Sequence, residues 1–166
     1  MNAEISDQFD ATMQELLQLL SSLSEEQLNT IPSEHSWTAG QVGDHLYKCY
    51  DVIEILRGNV EPTERPPDQK LDEVRAMFLD FTTKYDAPPE TIPTHDPIEK
   101  SALLTSLQER VAQQREVILH DDLSPTCLDF EIPGYGPFTR LEWIGFNTIH
   151  TQRHIHQLKA ILSTLK

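Results

Sequence analysis

The chain has 166 residues, 38% of them hydrophobic and 24% charged, the balance of one globular domain rather than of a disordered or membrane-spanning chain. Twenty-seven acidic residues against 13 basic ones give a formal net charge of -14, a surface that repels phosphate backbones and anionic lipid and so excludes nucleic acid and membrane as expected partners. Cys49 and Cys127 form no CxxC pair and no disulfide framework, and the first residues lack the basic and apolar regions of a signal peptide, so a cytoplasmic protein is expected.

From about Ala3 to Leu23, Phe9, Met13, Leu16, Leu17 and Leu20 repeat at three- and four-residue intervals, which predicts an amphipathic helix. Ser24 to Gln27 reads as a capping box opening a short helical turn that Pro32 closes. Thr38, with Gln41 three residues on, caps a second long helix whose shared face carries Val42, His45, Leu46, Cys49, Ile53 and Leu56; Arg57-Gly58 marks its stop. A connector with three prolines spans Asn59 to Pro67. A third helix is predicted from about Asp68 to Tyr85, with Leu71, Val74, Met77, Phe78 and Phe81 apolar. Four prolines between Ala87 and Pro97 predict an extended crossover. A fourth helix runs from about Ile98 to His120, with Leu103, Leu104, Leu107, Val111 and Ile118 as core. Residues 121–138 are irregular, with room for a hairpin between Glu131 and Pro137. Thr139 to Glu142 is a further capping box, opening a last helix that reaches about Leu165. Long helices with little strand predict an all-α four-helix bundle, up-and-down or crossed, as one domain over 1–166.

His150 and His154 stand four apart in the last helix, which puts both imidazoles on one face, about 40° apart around the axis. Such a pair can chelate one ion, and neutral imidazole suits zinc, nickel, iron and copper. His45 is the best third ligand, because it lies on an apolar helix face where an imidazole needs partners for both nitrogens. Three protein ligands leave one position open, the pattern of catalytic sites. HExxH, ExxH, GxSxG, P-loop and GxGxxG motifs are absent. Cys49, one turn past His45, reads as a small buried hydrophobe, with a soft fourth ligand as the alternative. Gln157, one turn past His154, can orient a water or a ligand. Asp44 reads as an exposed helix charge and His156 as a surface residue; His35, His95 and His120 read as solvated. Trp37 and Trp143 read as packing across helix ends, and residues 131–138 as a lid or a plain connector.

Ser36-Trp37-Thr38-Ala39-Gly40-Gln41-Val42-Gly43-Asp44-His45-Leu46, Pro133 to Trp143, and His150-Thr151-Gln152-Arg153-His154-Ile155-His156-Gln157-Leu158 resemble, in order, three segments of the DinB/YfiT-like superfamily. The resemblance implies a four-helix bundle of up-down-down-up topology. It implies one divalent ion per chain, most often nickel or zinc, on the positions of His45, His150 and His154. It further implies a homodimer through helix faces.

The function expected is that of a metal-dependent hydrolase of a small molecule, the ion activating a bound water. The alternatives are an S-transferase using a low-molecular-weight thiol, which needs no protein base, and a non-enzymatic metal-binding stress-response module.

Overall fold

Three helices begin on reciprocal caps. The side chains of Ser24, Thr38 and Thr139 accept the N–H groups of Gln27, Gln41 and Glu142, whose own side chains accept the cap N–H in return. All three boxes fall where the sequence predicts them, because a cap is written within four consecutive residues.

The computed structural model describes residues 2–165; residues 1 and 166 of the expected 1–166 domain lie outside this range. The protein is mostly helical: α1 (Asn2–Ser21), α2 (Glu25–Leu28), α3 (Ala39–Cys49), α4 (Val52–Leu56), α5 (Leu71–Phe78), α6 (Lys100–His120) and α7 (Arg140–Thr164), with a 3-10 turn at Pro89–Thr91. Two short strands, β1 (Val60–Glu61) and β2 (Thr126–Cys127), pair antiparallel. That ribbon joins stretches predicted as a connector and an irregular excursion. Two-residue strands leave no period to read, and their pairing spans more than sixty residues of chain.

Two predicted helices differ from their observed form. The second is interrupted at Tyr50-Asp51, where the bonding shortens to three-residue spacing, Ile53 N–H to Tyr50 and Glu54 N–H to Asp51. Tyr50 is fully buried there, its hydroxyl 2.8 Å from Thr151 Oγ1. The third ends at Phe78 rather than near Tyr85. Asp80 accepts the Thr82 N–H and both the Thr82 and Thr83 hydroxyls, a local turn that competes with the helix. Phe81 is consequently exposed instead of lining the core.

The core gathers Phe9, Met13, Leu16 and Leu20 of α1, Val42 and Leu46 of α3, Leu107 and Val117 of α6, and Ile144, Ile149 and Leu158 of α7. Helices α1 and α3 each pack on both α6 and α7, and α5 packs on α7. Lys100 Nζ donates to the Ser21 carbonyl, and Arg115 pairs with Asp10. Gln152 donates to Thr12, and Lys159 pairs with Glu15. Arg140 Nε donates to the Leu56 carbonyl. At Gly43 an added Cβ would lie 2.8 Å from Leu103 Cδ2, so the missing side chain permits the close approach of α3 to α6.

Glu142 has no exposed surface, yet all its charge is met. Arg65 donates to both carboxylate oxygens at 2.6 and 2.8 Å, and the backbone N–H groups of Lys70 and Thr139 complete the set. The pair ties the connector before α5 to the start of α7. Among the described residues, no helix is long and apolar enough to cross a membrane.

Candidate metal centre

Helix α3 presents His45, and α7 presents His150 and His154 one turn apart, on faces that meet inside the helical packing. The ring centroids lie 4.7 Å apart for His45 and His154, 5.3 Å for His45 and His150, and 4.6 Å for His150 and His154. The ligand atoms of His45, Cys49 and His150 all fall within 4.8 Å of one another, and His154 Nε2 sits 3.1 Å from His150 Nε2. All three predicted histidines are thus brought together, with Cys49 beside them.

His45 and His154 have both ring nitrogens in contact with a partner, and His150 keeps one without any. His45 Nδ1–H donates to the Thr91 carbonyl at 2.8 Å, so its Nε2 carries the lone pair and faces the Cys49 thiol at 3.6 Å. His154 Nδ1–H donates to Gln157 Oε1 at 2.8 Å, which leaves its Nε2 lone pair toward His150. His150 Nδ1 is cut off from solvent and has no hydrogen-bond partner. The unpartnered buried nitrogen of His150 costs free energy, and imidazole nitrogens crowded this closely suit a cation. The Thr91 carbonyl and Gln157 fix ring tautomers as outer partners of metal-binding histidines do.

The rings are also held neutral. Burial pushes His154 down to about 4 and His150 well below its ordinary 6.5, the latter also disfavoured by the neighbouring His154 and His45. Burial lowers His45 too, against the Thr91 carbonyl, which favours the charged form. The Cys49 thiol is pushed up to about 12 by burial. Around the rings, Trp37 lies 5.0 Å from His45, and Phe78 and Phe146 lie 5.8 and 5.9 Å from His150. Trp37 therefore belongs to the site, whereas Trp143 is buried among Phe130, Phe138 and Phe146.

The wall beside His45 is the crossover between α5 and α6. One face of α3 holds it: Gln41 Nε2 donates to the Thr94 carbonyl, Asp44 accepts the Thr94 N–H, His45 reaches Thr91, and Lys48 donates to the Ile92 carbonyl. Asp44 is half-buried and also pairs with Lys48 at 3.2 Å, which corrects its reading as an exposed charge. From α7, Arg153 donates to the carbonyls of Phe78, Asp80 and Thr83. Residues 131–138 instead fold on α5, where Lys70 donates to the carbonyls of Tyr135 and Pro137. Sequence reasoning passed over Thr91 and Arg153. A backbone carbonyl leaves no residue signal, and an arginine among charged helix residues looks like any solvated one. His156 is exposed, as expected, and stacks on Phe81 at 3.8 Å.

The family model described as the DinB superfamily matches residues 8–158, nearly the whole chain and a span that contains His45, His150 and His154. The chain belongs to the DinB superfamily. A DinB-like relationship is also supported by the uncharacterized protein YuaE of Bacillus subtilis (strain 168), 28% identical over 149 residues that cover 86% of this chain and 87% of that protein. No solved structure gives a significant match to this DinB chain.

Proposed function

We propose that this protein binds one divalent ion, nickel or zinc, through His45, His150 and His154, and uses it as a metal-dependent hydrolase of a small molecule. The observation that carries the reading is the convergence of three neutral imidazoles, two with Nδ1 already committed to Thr91 and Gln157. Bound there, a divalent ion supplies Lewis acidity, lowering the pKa of a water or thiol that reaches its open position. The chain's own residues do the rest. Thr91 and Gln157 orient two of the rings, Trp37, Phe78 and Phe146 enclose them in apolar surface, and α3 and Arg153 hold the crossover in place.

A second reading, S-transfer from a low-molecular-weight thiol, is favoured by one observation. Asp44, the carboxylate adjacent to His45 in the chain, is taken up by Thr94 and Lys48 and is not available as a general base. Thiol transfer needs no such base beyond the ion.

The same proposal reads the helices as one bundle domain of up-down-down-up topology. The pairs Lys100–Ser21 and Arg115–Asp10 support antiparallel α1 and α6, Gln152–Thr12 and Lys159–Glu15 support parallel α1 and α7, and Arg140–Leu56 supports antiparallel α4 and α7. It takes the protein as a cytoplasmic homodimer acting on a small molecule.

Metal analysis of untagged protein purified without chelator tests the core of this. About one divalent ion per chain is expected, lost in His45→Ala and His154→Ala; metal-free wild-type protein sinks it. Turnover of esters or amides without added thiol selects hydrolysis, and turnover of an electrophile only with thiol selects transfer.

A further inference from the structure

Cys49 follows His45 by one helical turn, so the two side chains leave α3 on the same face. Its sulfur is the group that meets the His45 Nε2 lone pair, at 3.6 Å. His45 is 97% buried by its 3% exposure, and its other nitrogen is spoken for by Thr91, so the imidazole has no second direction in which to seek a partner. The sulfur also lies within 4.8 Å of a ligand atom of His150, a residue of α7, whose Nδ1 is enclosed and unpartnered. Three soft or borderline donors from two helices, His45, Cys49 and His150, thus lie mutually within 4.8 Å, and His154 joins them at 3.1 Å from His150 Nε2.

We propose that Cys49 is a fourth protein ligand of the ion, closing a three-histidine, one-cysteine set in the resting protein. The proposal rests on the metal-binding reading above and deepens it. Nitrogen and thiolate donors in this number match the tetrahedral preference of zinc. On binding, the S–H bond breaks, one sulfur–metal bond forms, and the proton leaves to solvent, so the +2 of the ion is offset by one and the formal charge of the site rises by one rather than two. No oxidant or reductant is involved. The ion's fourth position is then held by a group from the chain itself. Water and an external thiol alike then reach the ion only when Cys49 yields its position or the ion takes a fifth ligand.

Cobalt(II) loading of the full chain tests this without any assay of activity. Wild-type protein and Cys127→Ser are expected to bind one cobalt and to show the intense near-ultraviolet sulfur-to-cobalt charge-transfer band. Cys49→Ser and Cys49→Ala are expected to keep the cobalt and lose the band. Their zinc affinity should fall about tenfold or more, the loss that removal of even an outer partner produces. Circular dichroism of each variant checks that the helices remain. A fully loaded wild-type protein with no charge-transfer band, or a band that persists in Cys49→Ala, overturns the proposal and leaves the three-histidine reading standing. Failure of the wild type to bind cobalt or zinc at all overturns both.

Discussion

Gln157 and His154 show how far one hydrogen bond reaches into the chemistry of the site. The amide oxygen holds the Nδ1 proton, and with it the direction of the Nε2 lone pair. Gln157→Ala is expected to weaken metal binding by about 10–100-fold with little change in fold, read by competition titration against a chromophoric chelator. The depressed basicity of His154 has its own signature in the metal-free protein. Its native pKa of about 4 lies below the unfolded value of 6.5, so between these values the unfolded chain binds more protons. Stability is therefore fully present above about pH 6.5 and is lost as the pH falls toward 4. His154 alone contributes at most about 3 kcal/mol of this dependence. Urea unfolding of metal-free protein across that range should show the slope, and His154→Gln should flatten it. An unchanged slope in the variant would place the titrating groups elsewhere.

Among the elements, α7 depends most on one buried contact at its start. Glu142 serves its own helix cap and anchors Arg65 and the backbone of Lys70. Glu142→Ala is expected to cost about 3–5 kcal/mol, toward the lower value because Arg65 can turn to water. A loss below about 1 kcal/mol in denaturant unfolding would show that the pair behaves like an exposed one. The same helix shows what was legible in the sequence. Its cap and the four-residue spacing of its histidines are local patterns, and both are found in place. His45 was legible as a histidine on an apolar face. The end of α5 was not, since Asp80 competes for backbone groups that the apolar period of Phe78 and Phe81 assigns to a helix. The partners of the histidine rings were only half visible: Gln157 by its spacing, Thr91 not at all, because any residue offers a carbonyl.

For the whole molecule, charge is the dominant departure from an ordinary domain. A net charge of -14 on 166 residues makes the folded state repel itself more than the expanded chain does. Exposed pairs such as Lys159–Glu15 and Arg115–Asp10 offset little of that. Raising sodium chloride from about 0.01 M to about 0.15 M shortens the screening length from about 30 to about 8 Å, and the urea midpoint should rise with it. A midpoint that falls instead would mean that attractive pairs outweigh the net repulsion.

Beside His45, the crossover is moored through its backbone between Thr91 and Thr94. Gln41, Asp44, His45 and Lys48 grip the peptide groups of Thr91, Ile92 and Thr94, and Arg153 grips those of Phe78, Asp80 and Thr83. Peptide groups are common to every amino acid, so these bonds at Thr91, Ile92 and Thr94 do not depend on the identity of the side chains there. Substitutions at these positions can redecorate one wall of the chamber while the imidazoles stay where they are. Such a layout lets selection retune what the chamber admits without first rebuilding the cradle, and it marks Thr91 and Ile92 as the positions to randomise in a search for altered specificity.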